Sequence, residues 1–300
     1  MADIVSPWPH APVKVGLVGA GPWARGVHAP VLAAGPETEL AAVWARRPEA
    51  AQETAEPYGA VAVARFEELL DRCEAVAFAV PPDIQADLAG RAAEAGKAVL
   101  LEKPIGLDVP SARGLVDAID EAGVVSQVVL TNRYHPVAQQ FLREAREIEV
   151  WGARSAGLSG AFLGGDFATP WRLEHGALLD LGPHILDLLD ASMGPIVRVR
   201  GTGDPRKWVE LTCEHESGAV SQASLSGSVE VEPGVMRVEL FGPRPPLVYD
   251  SADLDHDECW PVLRRTFATA VRTGVSGDLD ARRGLHLQEL IAQAATSVQA

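Results

Sequence analysis

Over the first 130 residues, short apolar runs alternate with amphipathic stretches. Val13–Val18, Leu40–Trp44, Ala75–Val80, Ala98–Leu101 and Val124–Leu130 are nearly continuous apolar runs. Runs of this length, unbroken by polar residues, predict strands covered on both faces. Between them, 23–32, 48–58, 67–70, 84–95 and 111–122 carry helical patterns, and Gly59, Gly96 and Gly123 stand where helices end. Five strands alternating with helices over short breaks predict a parallel, doubly wound α/β sheet with right-handed crossovers.

Beyond residue 130 the rhythm changes. Helical patterns cover 137–146 and begin again at Pro183. From Ile196 to Val248 the period drops to two, in runs around Val209, Gln222 and Met236, with turn glycines at Gly218, Gly234 and Gly242. Helical patterns at 261–271 and 280–298 close the chain. The expectation is an α+β second domain with a mostly antiparallel open sheet. We divide the chain at 1–125 and 126–300, matching a prior of about 150 residues per domain. One exposed sheet face carrying Val, Leu and Phe is expected to drive self-association into a dimer or tetramer.

Charge and cysteine content narrow the partners. The net charge of −15 disfavours nucleic acid and anionic membranes, which reward basic patches. Cys73, Cys213 and Cys259 are odd in number and lack metal-ligand spacing, so reduced buried thiols in a cytoplasmic protein are expected, with no metal. No apolar run approaches the ~20 residues of a membrane span, and Met1–Pro7 lacks the charge pattern of a signal peptide.

The first candidate chemistry lies at Gly19-Ala20-Gly21-Pro22-Trp23-Ala24, between the first strand and the first helix. Residues without a Cβ permit a tight turn and let a pyrophosphate approach the backbone; Ala24 replaces the third glycine and still allows close packing. An NAD site usually carries an acidic residue about 20 residues beyond this loop. Here the second strand runs into Arg46 and Arg47 instead. Two guanidiniums suit a 2′-phosphate, so NADP is expected ahead of NAD. Lys103 follows the fourth strand, where ligands of such sheets bind, and can polarise a substrate oxygen. His184 falls in the first turn of a helix, where the dipole disfavours imidazolium and leaves a neutral base.

At Leu101-Glu102-Lys103-Pro104-Ile105, Asn132-Arg133-Tyr134, Trp171-Arg172 and Asp180-Leu181-Gly182-Pro183-His184, the chain resembles the Gfo/Idh/MocA oxidoreductase family. The resemblance implies a Rossmann domain followed by an α+β domain, and a catalytic set of Lys103, Asp180 and His184. We add Pro81, Glu102 and Lys103 to the cofactor side, and Arg133, Tyr134, Trp171, Arg172 and His175 to the substrate side. The activity implied is hydride transfer between NAD(P) and a hydroxyl or keto group of a small polar, sugar- or polyol-like substrate. The sequence departs from the family pattern at His175-Gly176, usually a glycine pair, and at Gln85, often a histidine. A non-catalytic NAD(P)-binding regulator and an NAD-dependent glycosidase remain alternatives.

Overall fold

The computed structural model describes residues 8–298. Strands β1 (Val13–Val18), β2 (Thr38–Trp44), β3 (Val61–Ala62), β4 (Ala75–Phe78), β5 (Ala98–Leu101) and β6 (Ser126–Val128) form a parallel sheet in the order β3-β2-β1-β4-β5-β6. β4 and β5 are buried throughout, because helices cover both faces. Five of these strands match the apolar runs. The sixth, β3, has two residues and is too short to carry a periodic signal. Strand order reverses beside β1, so the carboxyl ends of β1 and β4 open a crevice there.

The helix expected over 23–32 is not uniform. Ala24–His28 is a π-helical turn, closed by Ala29 N–H on the Ala24 carbonyl, and Ala29–Ala33 continues as α-helix. The π turn changes which side chains share a face, with consequences for the site.

Strands β7 (Gly152–Leu158), β8 (Ile196–Asp204), β9 (Trp208–His215), β10 (Val220–Ser226), β11 (Val235–Phe241) and β12 (Leu247–Asp250) form a second sheet, ordered β12-β11-β7-β10-β9-β8. Only β7 and β10 run parallel; the other pairs are antiparallel. Two elements here are invisible to hydrophobic patterning. β7 is built largely from small and polar residues. Helix Pro170–Asp180 is interrupted at Gly176, whose φ of 74° breaks the helical period.

One face of this sheet buries Val209, Leu211, Leu225, Val238 and Leu240 under helices Gly182–Met193 and Ala281–Val298. The other face carries part of the expected apolar surface, mixed with charged and polar residues. It presents Arg154, Glu210, Thr212, Gln222 and Arg237, with Val197, Trp208, Val220, Phe241 and Val248 exposed among them. Alternation places the large apolar residues of β9–β11 inward, and their polar neighbours therefore face out.

The last two helices return to the first sheet. Phe267 of helix Cys259–Thr273 joins Leu17, Val43 and Leu100 in one core. Helix Ala281–Val298 packs on helix Val109–Ala122 and on β8. The three cysteines are free and buried; burial pushes the thiol of Cys73 up to about 11 and those of Cys213 and Cys259 up to about 12. Among the described residues no helix is long and apolar enough to cross a membrane.

Candidate active site

The glycine turn follows from close approach. Gly19 sits at φ 120°, and a Cβ there would collide with the Ala79 carbonyl oxygen at the end of β4. Gly21 has the opposite environment: a Cβ would meet nothing within 4 Å and would project into an open cleft. That cleft, about 520 Å³, is lined by Gly19, Gly21, Trp44, Arg46, Arg47 and Pro81. Bare backbone at the crevice fits a dinucleotide, and Arg46 and Arg47 stand exposed at its β2 end. Ala24 is fully buried beneath the turn, where a larger side chain would separate helix from sheet.

Pro22, Trp23, Glu102 and Lys103 line the adjoining part of the cleft, with Trp171, Arg172 and His175 of helix Pro170–Asp180 opposite. At its floor a nook of about 140 Å³ is lined by Lys103, Asp180, His184, Arg172, Thr131 and Phe167. Lys103 Nζ donates to Asp180 Oδ1 at 2.8 Å and to the Asp180 carbonyl at 2.9 Å. An ammonium has three N–H donors, so one remains for the nook. Arg172 Nε lies 3.2 Å from the same Asp180 Oδ1 and its guanidinium stacks 4.9 Å from the Trp171 ring centre. Burial would raise the Asp180 carboxyl, but Lys103 and Arg172 outweigh it and hold it at about 2.

His184 lies half-buried in the first turn of helix Gly182–Met193. Burial above all, and then the charge of Lys103, pulls its pKa down to about 3, so the ring is a neutral base at physiological pH. Its Nδ1 is buried without a hydrogen-bond partner. Such groups are rare in folded proteins and call for a reason.

Glu102 is held from behind. Its Oε1 accepts from Trp23 Nε1 at 2.6 Å and lies 2.7 Å from His28 Nε2. Burial would raise this carboxyl, but the His28 hydrogen bond and charge, Lys103 and Trp23 keep it lowered. In a regular α-helix, residues five apart point about 140° away from each other. The π turn reduces that angle and lets Trp23 and His28 reach one oxygen. Gln85 clamps the same segment: its Oε1 accepts from Glu102 N–H and its Nε2 donates to the Glu102 carbonyl, both at 2.8 Å. The departure at Gln85 thus places a bidentate amide where it fixes the backbone that carries Lys103.

Two expected substrate residues stand elsewhere. Arg133 Nη1 donates to Asp187 at 2.9 and 3.1 Å, and Asp187 also accepts from Arg283 Nε at 2.7 Å. Tyr134 is buried, and its hydroxyl donates to the Val128 carbonyl at 2.9 Å. Their polar groups are spent inside the protein, and neither lines the cleft or the nook. Conversely, His28, Thr131 and Phe167 reach the site without a motif to mark them, and Gln85 does so from a position marked only as a departure from the family pattern. Phe167 makes an edge contact with Trp23, which in turn meets Trp260. No periodicity signals such aromatic contacts, because they join three distant segments.

A family model described as the oxidoreductase family with an NAD-binding Rossmann fold, GFO_IDH_MocA, matches residues 13–130. The dTDP-3,4-didehydro-2,6-dideoxy-alpha-D-glucose 3-reductase of Streptomyces violaceoruber is 33% identical over 198 residues, covering 63% of this chain and 57% of that protein. The inositol 2-dehydrogenase of Rhizobium meliloti (strain 1021) is 34% identical over 125 residues, covering 41% and 38%. The chain thus spans only 57% and 53% of the first curated relatives' own length. Among solved structures, GenD2 from gentamicin A biosynthesis, in complex with NAD, superposes with a TM-score of 0.87 at 24% identity, covering 97% of this chain and 95% of that one. The fold is therefore shared over nearly the whole length. Residues 13–130 thus match the NAD-binding Rossmann fold of the Gfo/Idh/MocA oxidoreductase family model.

Proposed function

We propose that this chain is an NAD(P)-dependent oxidoreductase acting on a hydroxyl or keto group of a small, polar, sugar- or polyol-like substrate. The observation that carries the reading is the nook. A neutral, half-buried His184, its buried Nδ1 without a partner, stands there beside a lysine with one free donor. In the oxidative direction His184 takes the hydroxyl proton, and the free N–H of Lys103 stabilises negative charge growing on the substrate oxygen. Asp180 holds Lys103 in place, and Arg172 holds Asp180. A nicotinamide bound over the nook takes up or gives the hydride.

Residues 1–125 would carry the nucleotide, and 126–300 the substrate and the subunit contacts. Arg46 and Arg47 favour NADP, since they occupy the end of β2 where a ribose 2′-phosphate would lie. The opposed charges on the open face of the second sheet, Arg154, Glu210, Arg237 and Glu239, suit a self-complementary contact between copies. Three buried thiols with raised pKa fit a reducing, cytoplasmic setting.

The test is steady-state absorbance of the reduced cofactor with a panel of polyols, aldoses and keto sugars. Lys103→Met should lower turnover by about 10²–10³-fold, the loss expected when one charge-stabilising donor is removed. Cofactor affinity should stay nearly unchanged. A fully active Lys103→Met enzyme would remove the chemistry from this nook.

A further inference from the structure

The cleft does not end at His175. Behind it lies a second chamber of about 640 Å³, within the ~300–1,000 Å³ typical of small-molecule sites. Leu107, Glu174 and His175 line both spaces, so the two are contiguous. Gly176 makes this junction possible. At φ 74° it turns the helix against Pro205, whose carbonyl oxygen a Cβ would strike, and Pro205 is itself part of the chamber wall.

The chamber has one apolar wall and one polar rim. Leu178, Ile291, Ala292 and Ala295 form the wall; Asp108, Asp204, Arg206 and Thr296 stand at the rim. Three carboxylates, counting Glu174, face one guanidinium, in a protein of net charge −15. A diphosphate would meet repulsion here, whereas an uncharged group carrying both apolar surface and hydroxyls would not.

A second observation points the same way. Among the described residues, three buried side-chain atoms lack a hydrogen-bond partner: Thr169 Oγ1, His184 Nδ1 and Gln288 Oε1. His184 lines the nook, Thr169 the cleft and Gln288 the chamber. The unsatisfied buried side-chain atoms of the described residues thus follow one continuous path, from the reacting centre to the chamber. That distribution is expected where a ligand supplies the missing partners.

We infer that the chamber is a subsite for an uncharged appendage of the substrate, so that the preferred substrate is a neutral glycoside. Its oxidisable ring sits at Lys103 and His184, and its aglycone or second sugar lies against Ile291 and Ala292. The inference rests on the sugar-oxidoreductase reading above. It also separates this chain from enzymes whose substrates are nucleoside-diphosphate sugars.

The experiment compares one reactive sugar in three forms: free, as its p-nitrophenyl glycoside, and as its nucleoside-diphosphate derivative. The glycoside should exceed the free sugar in kcat/KM by about tenfold or more, and the diphosphate should be the poorest. Ala292→Trp and, separately, Thr296→Trp fill the chamber, whose lining shares no residue with the nook. Each should erase the glycoside's advantage and leave the free sugar within about twofold of the unmodified enzyme, as expected for a remote subsite. Calorimetric titration of the glycoside without cofactor reads binding alone. If the glycoside binds and Ala292→Trp abolishes binding while no sugar is oxidised, the hydride reading fails and the subsite stands. Equal kcat/KM for glycoside and free sugar, preference for the diphosphate, or tryptophan variants that depress both neutral substrates alike would each overturn the inference.

Discussion

Two buried charge clusters stand seven residues apart along the chain, and they differ in what they leave open. Around Asp187, which is 1% exposed, every strong group is matched: Arg133 and Arg283 converge on its carboxylate, and Arg283 continues to Asp190. Asp190 in turn accepts the Ile196 backbone N–H and lies 3.1 Å from His286. Around Asp180 the matching is incomplete. Lys103 keeps a free donor, His184 keeps a bare nitrogen, and a cavity adjoins both. Satisfied buried charge fixes helix Gly182–Met193 to its neighbours. Unsatisfied buried charge beside a cavity is poised for a ligand.

The comparison breaks most sharply at His184. His184→Asn should reduce turnover by about 10²–10⁴-fold, the usual contribution of a positioned acid–base group. Its denaturation midpoint should hardly move, so kinetics and unfolding measured on one preparation separate the effects. Full activity would reduce His184 to a helix-terminus residue.

Asp187→Ala should show the reverse. Removing one partner of a buried ion cluster costs about 3–5 kcal/mol of stability, because the remaining charges lose their compensation. Urea unfolding measures it, and the folded fraction should keep its kcat. A variant that folds normally and loses catalysis would erase the distinction between the clusters.

At the nucleotide end, replacing Arg46 and Arg47 together with Ala should weaken NADP binding by about 1.5–3 kcal/mol for each charged hydrogen bond lost. NAD binding should be nearly unaffected. Calorimetry with both nucleotides decides it, and equal affinities in the unmodified protein would end the NADP preference.

A further effect, confined to acid, is on stability. Folding lowers the His184 pKa from 6.5 to about 3, so between these values the unfolded chain binds a proton that the folded chain does not. Stability therefore falls as pH falls through this window, by up to ~1.4 kcal/mol per pH unit. His184→Asn should flatten the slope by that one-proton amount. Identical pH–stability curves would mean that His184 titrates normally.

The two sheets differ equally in how legible they were. In the first, each long strand is an apolar run and glycines mark the ends of several helices, so local patterning is enough to identify β1, β2, β4, β5 and β6. In the second, β7 is a run of small residues in the middle of the sheet, identifiable only by its partners β10 and β11. Helix Pro170–Asp180 hides behind its own break at Gly176. The roles of Arg133 and Tyr134 were misplaced for a related reason. They lie near the site in sequence, but Asp187 and the Val128 carbonyl capture their polar groups.

By itself the sequence determined the nucleotide-binding architecture and the identity of Lys103, Asp180 and His184 as candidates, because glycine turns, apolar runs and short motifs act locally. The tertiary structure alone decided which charges are satisfied. A hydrogen bond such as that from Lys103 to Asp180 joins residues 77 apart in sequence. The bare nitrogen of His184 and the chamber beyond His175 likewise exist only once helices from both halves have packed around one space. Desolvation and long-range pairing set the chemistry here, and neither has a period that a linear chain can display.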